Sequence, residues 1–151
     1  MSALSSINLK IDSGATHHFH EIDSTDLPQQ PTYNYNPEAR VIVPNRASMV
    51  SSATTHLPIP SLPPSATKSH GFNHLAYGYL FSVGTACDHN CTAVFDKNSV
   101  TMFKSTEVNI TVLCPPIIQG NHNSPSQPLY SVSLPNHPPS THKENTTINV
   151  S

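Results

Sequence analysis

Residues 11–16 have the sequence Ile11-Asp12-Ser13-Gly14-Ala15-Thr16, and most of what this chain's sequence predicts depends on them. Ile7, Leu9 and Ile11 alternate with polar residues, a pattern typical of a half-buried β-strand over residues 7–12. Asp12 therefore lies at the end of a strand. Ser and Gly are common turn residues, so a tight turn follows. Glycine also lets the backbone pass close to the carboxylate. The stretch predicts an acidic side chain held rigidly at a strand end.

A second informative stretch lies further along the chain. It begins at Asn73-His74-Leu75-Ala76 and continues as Tyr79-Leu80-Phe81-Ser82-Val83-Gly84. It is followed by Cys87-Asp88-His89-Asn90-Cys91-Thr92-Ala93-Val94-Phe95, where we expect a short loop and then a strand that ends at Phe95. Apolar residues continue to alternate downstream, at Val94, Val100, Met102, Val108, Ile110 and Val112. This alternation predicts strands that close the domain.

Both stretches resemble one protein family. Asp12-Ser13-Gly14-Ala15 resembles the active-site Asp-Ser/Thr-Gly-Ala of retropepsin-like aspartic proteases. With Thr16-His17-His18-Phe19 it is most similar to the protease of copia-type LTR retrotransposon gag-pol polyproteins. Residues 79–84 resemble that family's Asn-Leu-Leu-Ser-Val-Gly segment, with Tyr79-Leu80-Phe81 in place of Asn-Leu-Leu. Residues 117–120 and 129–134 resemble a connector between protease and integrase, so the likeness spans about residues 7–134.

The resemblance implies an aspartic endopeptidase that cuts its own polyprotein. Asp12 is then the catalytic residue; Ser13 braces the active-site loops, and Gly14 and Ala15 line the floor below the scissile bond. Such enzymes need two carboxylates, one protonated and one ionised, because two adjacent negative charges repel each other. Of the five Asp residues, only Asp12 precedes Ser-Gly or Thr-Gly. A second copy must therefore supply the other carboxylate, which predicts a two-fold homodimer. The substrate partner is a polyprotein peptide, and no metal or organic cofactor is implied.

The expected fold is all-β: a small retropepsin-like barrel completed by homodimerisation. The domain covers residues 7–114, between an N-terminal tail at 1–6 and a Pro/Ser/Asn-rich linker at 115–151. Residues 17–38 are polar and predict a loop or an irregular strand. Two apolar runs, at 40–43 and 49–50, flank a turn and predict a hairpin. The resemblance makes this hairpin part of a flap at 41–57. Its turn pair is Asn45-Arg46 rather than Asn-Gly, and a left-handed Arg costs on the order of 1 kcal/mol.

Composition limits the other classes of function. Only 11% of residues are charged and the net charge is −2, so no electrostatic argument supports binding to nucleic acid or to an anionic membrane. No stretch is long and apolar enough to suggest a membrane span. Three cysteines make an odd number, which does not favour a disulfide framework. The sequence therefore predicts an intracellular protein, and the resemblance implies a location in the cytoplasm or in retrotransposon particles.

Several alternatives remain open at this level. Two groups could bind a transition metal: His17, His18, His20 and Glu21, or Cys87, His89, Cys91 and Cys114. Ser13 beside histidines could suggest a serine hydrolase, although no Gly-x-Ser-x-Gly surrounds it. The chain could also be a catalytically inactive retrotransposon-derived remnant or a domesticated peptide-binding module. The remnant is favoured by Arg46 and by four prolines placed where a flap strand should pair: Pro58, Pro60, Pro63 and Pro64.

Overall fold

The computed structural model describes residues 7–24, 27–32, 36–43, 45–76, 78–122 and 130–134. Strands dominate the described part, together with one short α-helix, so the predicted all-β class agrees with the structure. The strands are β1 (Leu9–Asp12), β2 (His18–Glu21), β3 (Gln30–Pro31), β4 (Arg40–Ile42), β5 (Ser48–Val50), β6 (Ala53–His56), β7 (Lys68–Phe72), β8 (Tyr79–Ser82), β9 (Cys91–Phe95) and β10 (Val100–Lys104). The helix α1 covers Val83–Asp88, and 3₁₀ turns cover Ile22–Ser24, Pro64–Ala66 and Ser105–Glu107.

Six strands form one mixed sheet in the order β1-β8-β2-β7-β6-β3. β1 runs parallel to β8, with Asp12 opposite Ser82. β2 lies between β8 and β7, antiparallel to the first and parallel to the second. β1 and β3 are the two edges of the sheet, and they do not pair with each other in the described residues. The predicted barrel is therefore not closed within one chain; the described sheet is open.

The remaining strands form two hairpins outside this sheet. β4 and β5 pair antiparallel, so the hairpin predicted around Asn45-Arg46 is present. Its turn is closed by a hydrogen bond from the Arg46 amide to the Val43 carbonyl oxygen (2.8 Å). Arg46 has φ 64°, so the turn does place the arginine in the left-handed region, where a residue with a Cβ is unfavourable. β9 and β10 form the second hairpin, in agreement with the alternation at Val94, Val100 and Met102.

The core lies between one face of the large sheet, the loop after β6 and the second hairpin. Its buried members are Leu57, Tyr79, Phe81, Ala86 and Cys91. The four prolines between residues 58 and 64 lie after the end of β6 and so interrupt no ladder. The loop that contains them brings Ile59 and Leu62 against the core. The prediction that these prolines fall where a flap strand pairs is therefore wrong, and they do not favour the inactive remnant.

β2 is the main departure from the predicted organisation. The polar segment 17–38 was expected to be a loop or an irregular strand, yet His18–Glu21 is a central strand of the sheet. Both His18 and His20 are fully buried. All four ring nitrogens have hydrogen-bond partners, three of them 48 or more residues away and one, Gln29, nine residues away. These bonds offset the cost of burying the two rings. The predicted short loop after Gly84 is also wrong, because α1 begins at Val83.

The chain beyond residue 107 adds little regular structure. Val108, Ile110 and Val112 were expected in a closing strand, but residues 108–120 form none. The segment is exposed, and an isolated bridge joins Asn121 to Ser131. The predicted N-terminal tail at 1–6 and most of the predicted linker, including residues 135–151, lie outside the described residues. Within the described part, no helix has the length and apolar character needed to cross a membrane.

Candidate functional site

Asp12 is the last residue of β1, and its side chain is half-buried. The backbone amide of Gly14 donates a 2.7 Å hydrogen bond to Asp12 Oδ1. This contact closes a tight turn in which Ser13 is exposed and Ala15 is buried. A carboxylate that accepts such a bond two residues ahead forms an Asx turn, which fixes its orientation. The structure thus presents the Asp12 carboxyl at the end of a paired edge strand.

The turn after Asp12 is attached to the beginning of α1. Ser82 precedes the helix, and its hydroxyl donates a 2.6 Å hydrogen bond to the Ala15 carbonyl oxygen. The same hydroxyl oxygen accepts from the Thr85 amide (3.1 Å) and so caps the helix. The Thr85 hydroxyl lies 3.0 Å from the Thr16 carbonyl oxygen. Two side chains from β8 and α1 therefore hold the backbone that carries the Asp12 turn.

His18 connects the same turn to the core. Its Nδ1 accepts a 2.9 Å hydrogen bond from the Ser82 amide, and its Nε2 donates to the Ala66 carbonyl oxygen across 2.8 Å. The ring stacks on Phe81 with 4.5 Å between ring centroids. Burial lowers the pKa of His18 below its ordinary value of 6.5, because a charged imidazolium would lose its hydration. His18 is therefore a neutral structural side chain beneath the turn.

The β4–β5 hairpin is joined to the sheet at its base. Ser51 and Ala39 exchange hydrogen bonds there, and the Ser52 amide donates to the Gly71 carbonyl oxygen on β7 (3.0 Å). An ion pair links Glu38, just before β4, to Lys68 on β7. The two strands of the hairpin pair only with each other among the described strands, whereas their base is fixed. Such an arrangement lets a hairpin tip move about an anchored base.

His70 precedes Gly71 on β7, and Gly71 accepts the Ser52 hydrogen bond at the base of the hairpin. Its ring is 6% exposed and packs edge-on against His17, 5.2 Å away between centroids. His70 Nδ1 is a buried nitrogen for which the described part of the chain offers no hydrogen-bond partner. Burial, together with His17, lowers the pKa of His70 to about 4, against an opposing effect of Glu38. His70 is therefore uncharged at neutral pH.

The residues that suggested a metal site do not converge. His18 and His20 are both buried and bonded to protein groups, whereas His17 is exposed. Cys91 is buried and Cys114 is exposed. Among the described residues, no three His, Cys, Asp or Glu side chains form a group that could hold a metal ion.

An apolar cavity of about 270 Å³ lies on the other side of β1 from Asp12. Leu9 and Ile11 line it, together with Phe81 and Met102 from the core side of the fold. Successive side chains of a strand point to opposite faces, so this cavity belongs to the core and not to the carboxylate site.

The sequence reasoning identified Asp12, Ser13, Gly14 and Ala15 but missed three residues that hold them. Ser82 and His18 lie 64 residues apart in the chain and meet at Ser82's backbone amide. The third is Thr85. A partial signal existed only for Ser82, because Ser is a favoured residue directly before a helix. His18 gave no such signal, since its two partners are set by the tertiary fold.

None of the protein-family models, curated proteins and solved structures that were compared matches this chain.

Proposed function

We propose that this chain is one subunit of a homodimeric aspartic endopeptidase, in which Asp12 and the Asp12 of a second copy activate water. One carboxylate acts as general base toward the water molecule. The other is protonated and acts as general acid toward the peptide. The observation that carries the proposal is the fixed position of the Asp12 carboxyl at a strand end. The Gly14 amide donates to Asp12 Oδ1 across 2.7 Å, and the Ser82 hydroxyl holds the Ala15 carbonyl oxygen of the same turn.

Rigid support is what this chemistry needs from the protein. Water attack on a peptide bond requires the two carboxyl groups to stay within a small range of distances and orientations. The Asx turn at Asp12 limits the rotation of its side chain, and the bonds from Ser82 and Thr85 limit the movement of the backbone. Both restraints act within residues 12–16. This combination favours a catalytic role for Asp12 over a role as an ordinary turn residue.

The requirement for a second copy follows from the single motif. No other Asp in the chain precedes Ser-Gly or Thr-Gly. A two-fold axis beside Asp12 brings the same carboxyl of each subunit together, since an isologous contact pairs a residue with itself. The half-exposed state of Asp12 at an edge strand leaves its carboxyl accessible to such a partner.

The substrate is an extended peptide of a retrotransposon polyprotein. Free strand edges pair readily with extended peptides through main-chain hydrogen bonds. The β4–β5 hairpin, anchored at Ser51 and free along its length, is the element suited to close over that peptide. Its turn has one strained residue, Arg46 at φ 64°, and a weakened flap is the feature that favours the alternative of an inactive remnant or a peptide-binding module.

The proposal is tested by cleavage of a peptide library prepared from a whole-cell digest and read by mass spectrometry between pH 4 and 7. Wild-type chain, Asp12→Asn and Asp23→Asn are compared at matched concentration. Asp23 is an exposed carboxylate of the 3₁₀ turn after β2, so its variant controls for the loss of one charge. Cleavage by the wild type and Asp23→Asn but not by Asp12→Asn supports the enzyme. Equal cleavage by all three excludes Asp12 as catalyst, and cleavage by none supports the inactive alternative.

A further inference from the structure

We propose that His18 is a positioning residue for Asp12, and that it acts as the neutral tautomer with its proton on Nε2 by holding Ser82 and, through Ser82, the turn that follows Asp12. This inference rests on the proposed aspartic mechanism and gives a role to a residue of the motif to which the resemblance assigned none. Two sets of contacts, and the effect that a second proton would have on them, carry it.

The first contact fixes the tautomer of His18. A backbone amide can only donate and a backbone carbonyl can only accept. Nδ1 lies 2.9 Å from the Ser82 amide nitrogen, and Nε2 lies 2.8 Å from the Ala66 carbonyl oxygen. The ring must therefore accept at Nδ1 and donate at Nε2. The side chain is fully buried, so water cannot replace either partner.

The second contact passes this restraint to the catalytic turn. Ser82 lies opposite Asp12 in the parallel register of β1 and β8. Its amide is held by His18, while its hydroxyl donates to the Ala15 carbonyl oxygen across 2.6 Å. A displacement of Ser82 therefore moves Ala15, three residues after the carboxylate. Since misplacement by about 1 Å can reduce a catalytic rate by roughly 10²-fold, this contact bears on turnover rather than only on stability.

A second proton on the His18 ring would break its contact with Ser82. Protonation of His18 places a hydrogen on Nδ1, opposite the N–H of Ser82, and two donors then face each other. The titratable groups that act on the ring are His17, in the loop before β2, and His89, at the end of α1. Both oppose its protonation, and burial does so most strongly. Once the pH is low enough to overcome these effects, Ser82 is released and turnover falls.

Two substitutions separate the two hydrogen bonds of His18. In His18→Asn the amide oxygen takes the place of Nδ1 and can accept from Ser82, but nothing reaches Ala66. In His18→Gln the amide nitrogen takes the place of Nε2 and can donate to Ala66, but the acceptor for Ser82 is lost. Each variant also leaves unfilled space, so urea unfolding is measured for both. His56→Gln is the matched control, because His56 is exposed and bonds only to the Thr67 hydroxyl (3.2 Å) in the contacts described.

We expect His18→Gln to lose about 10²-fold in kcat with little change in KM. We expect His18→Asn to retain at least tenfold more kcat than His18→Gln, and to keep its turnover at a pH where that of the wild type has fallen. The His56→Gln profile should overlay the wild-type profile. Equal losses of kcat in His18→Asn and His18→Gln would overturn the inference. So would a His18→Asn protein whose kcat falls in acid at the same pH as that of the wild type.

A measurement that does not depend on cleavage separates this inference from the proposed function. Nitrogen-15 NMR of the full-length chain and of Asp12→Asn reports the protonation of each His18 ring nitrogen and the Ser82 amide signal. We expect an unprotonated Nδ1 at pH 7, and a joint shift of the Ser82 and Ala15 amide signals when His18 becomes protonated. A chain that cuts peptides but carries the proton on Nδ1 refutes the role of His18 alone. If Asp12→Asn cuts as well as the wild type, the proposed function fails whatever the tautomer.

Discussion

The hydroxyl group of Ser82 lies 2.6 Å from the carbonyl oxygen of Ala15, and this hydrogen bond joins two segments 67 residues apart in the chain. Ser82 is fully buried, and its hydroxyl also caps α1 by accepting from the Thr85 amide. One side chain thus holds the turn beside Asp12 and begins the helix. Because both contacts use the same hydroxyl group, a substitution that removes it removes both.

Ser82→Ala should therefore be costly for both stability and activity. Loss of the helix cap costs about 1 kcal/mol, and the unpaired Ala15 carbonyl adds about 1–3 kcal/mol. Urea unfolding measures the stability, and kcat at pH 6–7 measures the effect on the turn. Ser61→Ala, at an exposed site, is the control. A Ser82→Ala protein as stable and as active as the control would show that the bond to Ala15 does not hold the turn.

Two glycine substitutions should have opposite effects. A Cβ at Gly71 would lie 2.8 Å from Nε2 of the buried His20, so Gly71→Ala must displace that ring. Overpacking of this kind typically costs about 1–3 kcal/mol. A Cβ at Gly84 would meet nothing closer than 3.7 Å, and Gly84 lies in α1. Gly84→Ala should be neutral or should stabilise the fold by up to about 1 kcal/mol.

Urea unfolding of both variants under identical conditions checks the contrast between Gly71 and Gly84. Comparable losses in both would show that the close packing of β7 against His20 is not what limits substitution at Gly71.

The fold should lose stability in acid because it buries three neutral histidines. Burial lowers the pKa of His18 and His20 below 6.5, and burial together with His17 lowers that of His70 to about 4. Between these values and 6.5 the unfolded chain binds protons that the folded chain does not, so the free energy of unfolding falls as the pH falls. For His70 the full contribution is present above about pH 6.5 and is lost as the pH approaches 4.

Urea titrations at pH 7.5, 6 and 5 measure this loss, and His70→Phe removes one of the three groups while keeping a ring of similar shape. The variant should show a shallower decline with acid than the wild type. The charged and titratable groups around the site, namely His17, His20, Glu38 and Lys68, are unchanged in this comparison. Parallel curves for the two proteins would mean that His70 does not contribute to the acid sensitivity.

The tip of the β4–β5 hairpin should become more stable when Arg46 is replaced. Arg46 has φ 64°, and this conformation costs a residue with a Cβ about 1–2 kcal/mol. Arg46→Asn relieves part of that cost, because Asn tolerates the left-handed region. The readout is hydrogen exchange at the Val43 amide, which donates to the Ala47 carbonyl oxygen across 3.0 Å at the end of the hairpin. Exchange should slow in Arg46→Asn and should not slow in Ala47→Asn. Faster exchange in Arg46→Asn would show that the Arg46 side chain stabilises the turn.

Local sequence patterns predicted β1 and the β4–β5 hairpin. β1 followed from the alternation of Leu9 and Ile11, and the β4–β5 hairpin followed from two apolar runs around a turn. For β9 and β10 the alternation predicted strands but not their hairpin. β2 could not be predicted in this way. Its segment His18–Glu21 looks like a solvated stretch until the partners of its histidines are known, and three of the four partners lie 48 or more residues away. The strand expected at Val108–Val112 is absent for the opposite reason: the alternation is there, but no described strand pairs with it.

The residues of the candidate site fall into the same two groups: those that local sequence predicts and those that only the tertiary fold brings together. Asp12 and the turn after it follow from the motif, because an Asx turn is made by neighbouring residues. Ser82, Thr85 and His18 come from other elements, and only the tertiary fold shows that they meet behind the turn.

The most direct test of the account is to measure cleavage after mixing wild-type chain with Asp12→Asn at constant total concentration. If each active site needs Asp12 from both subunits and subunits exchange freely, an equal mixture contains about a quarter wild-type homodimers. Cleavage should then fall to about a quarter of the all-wild-type rate. A fall to about half would mean that each chain acts alone, and an equal mixture as active as the wild type would contradict the requirement for Asp12.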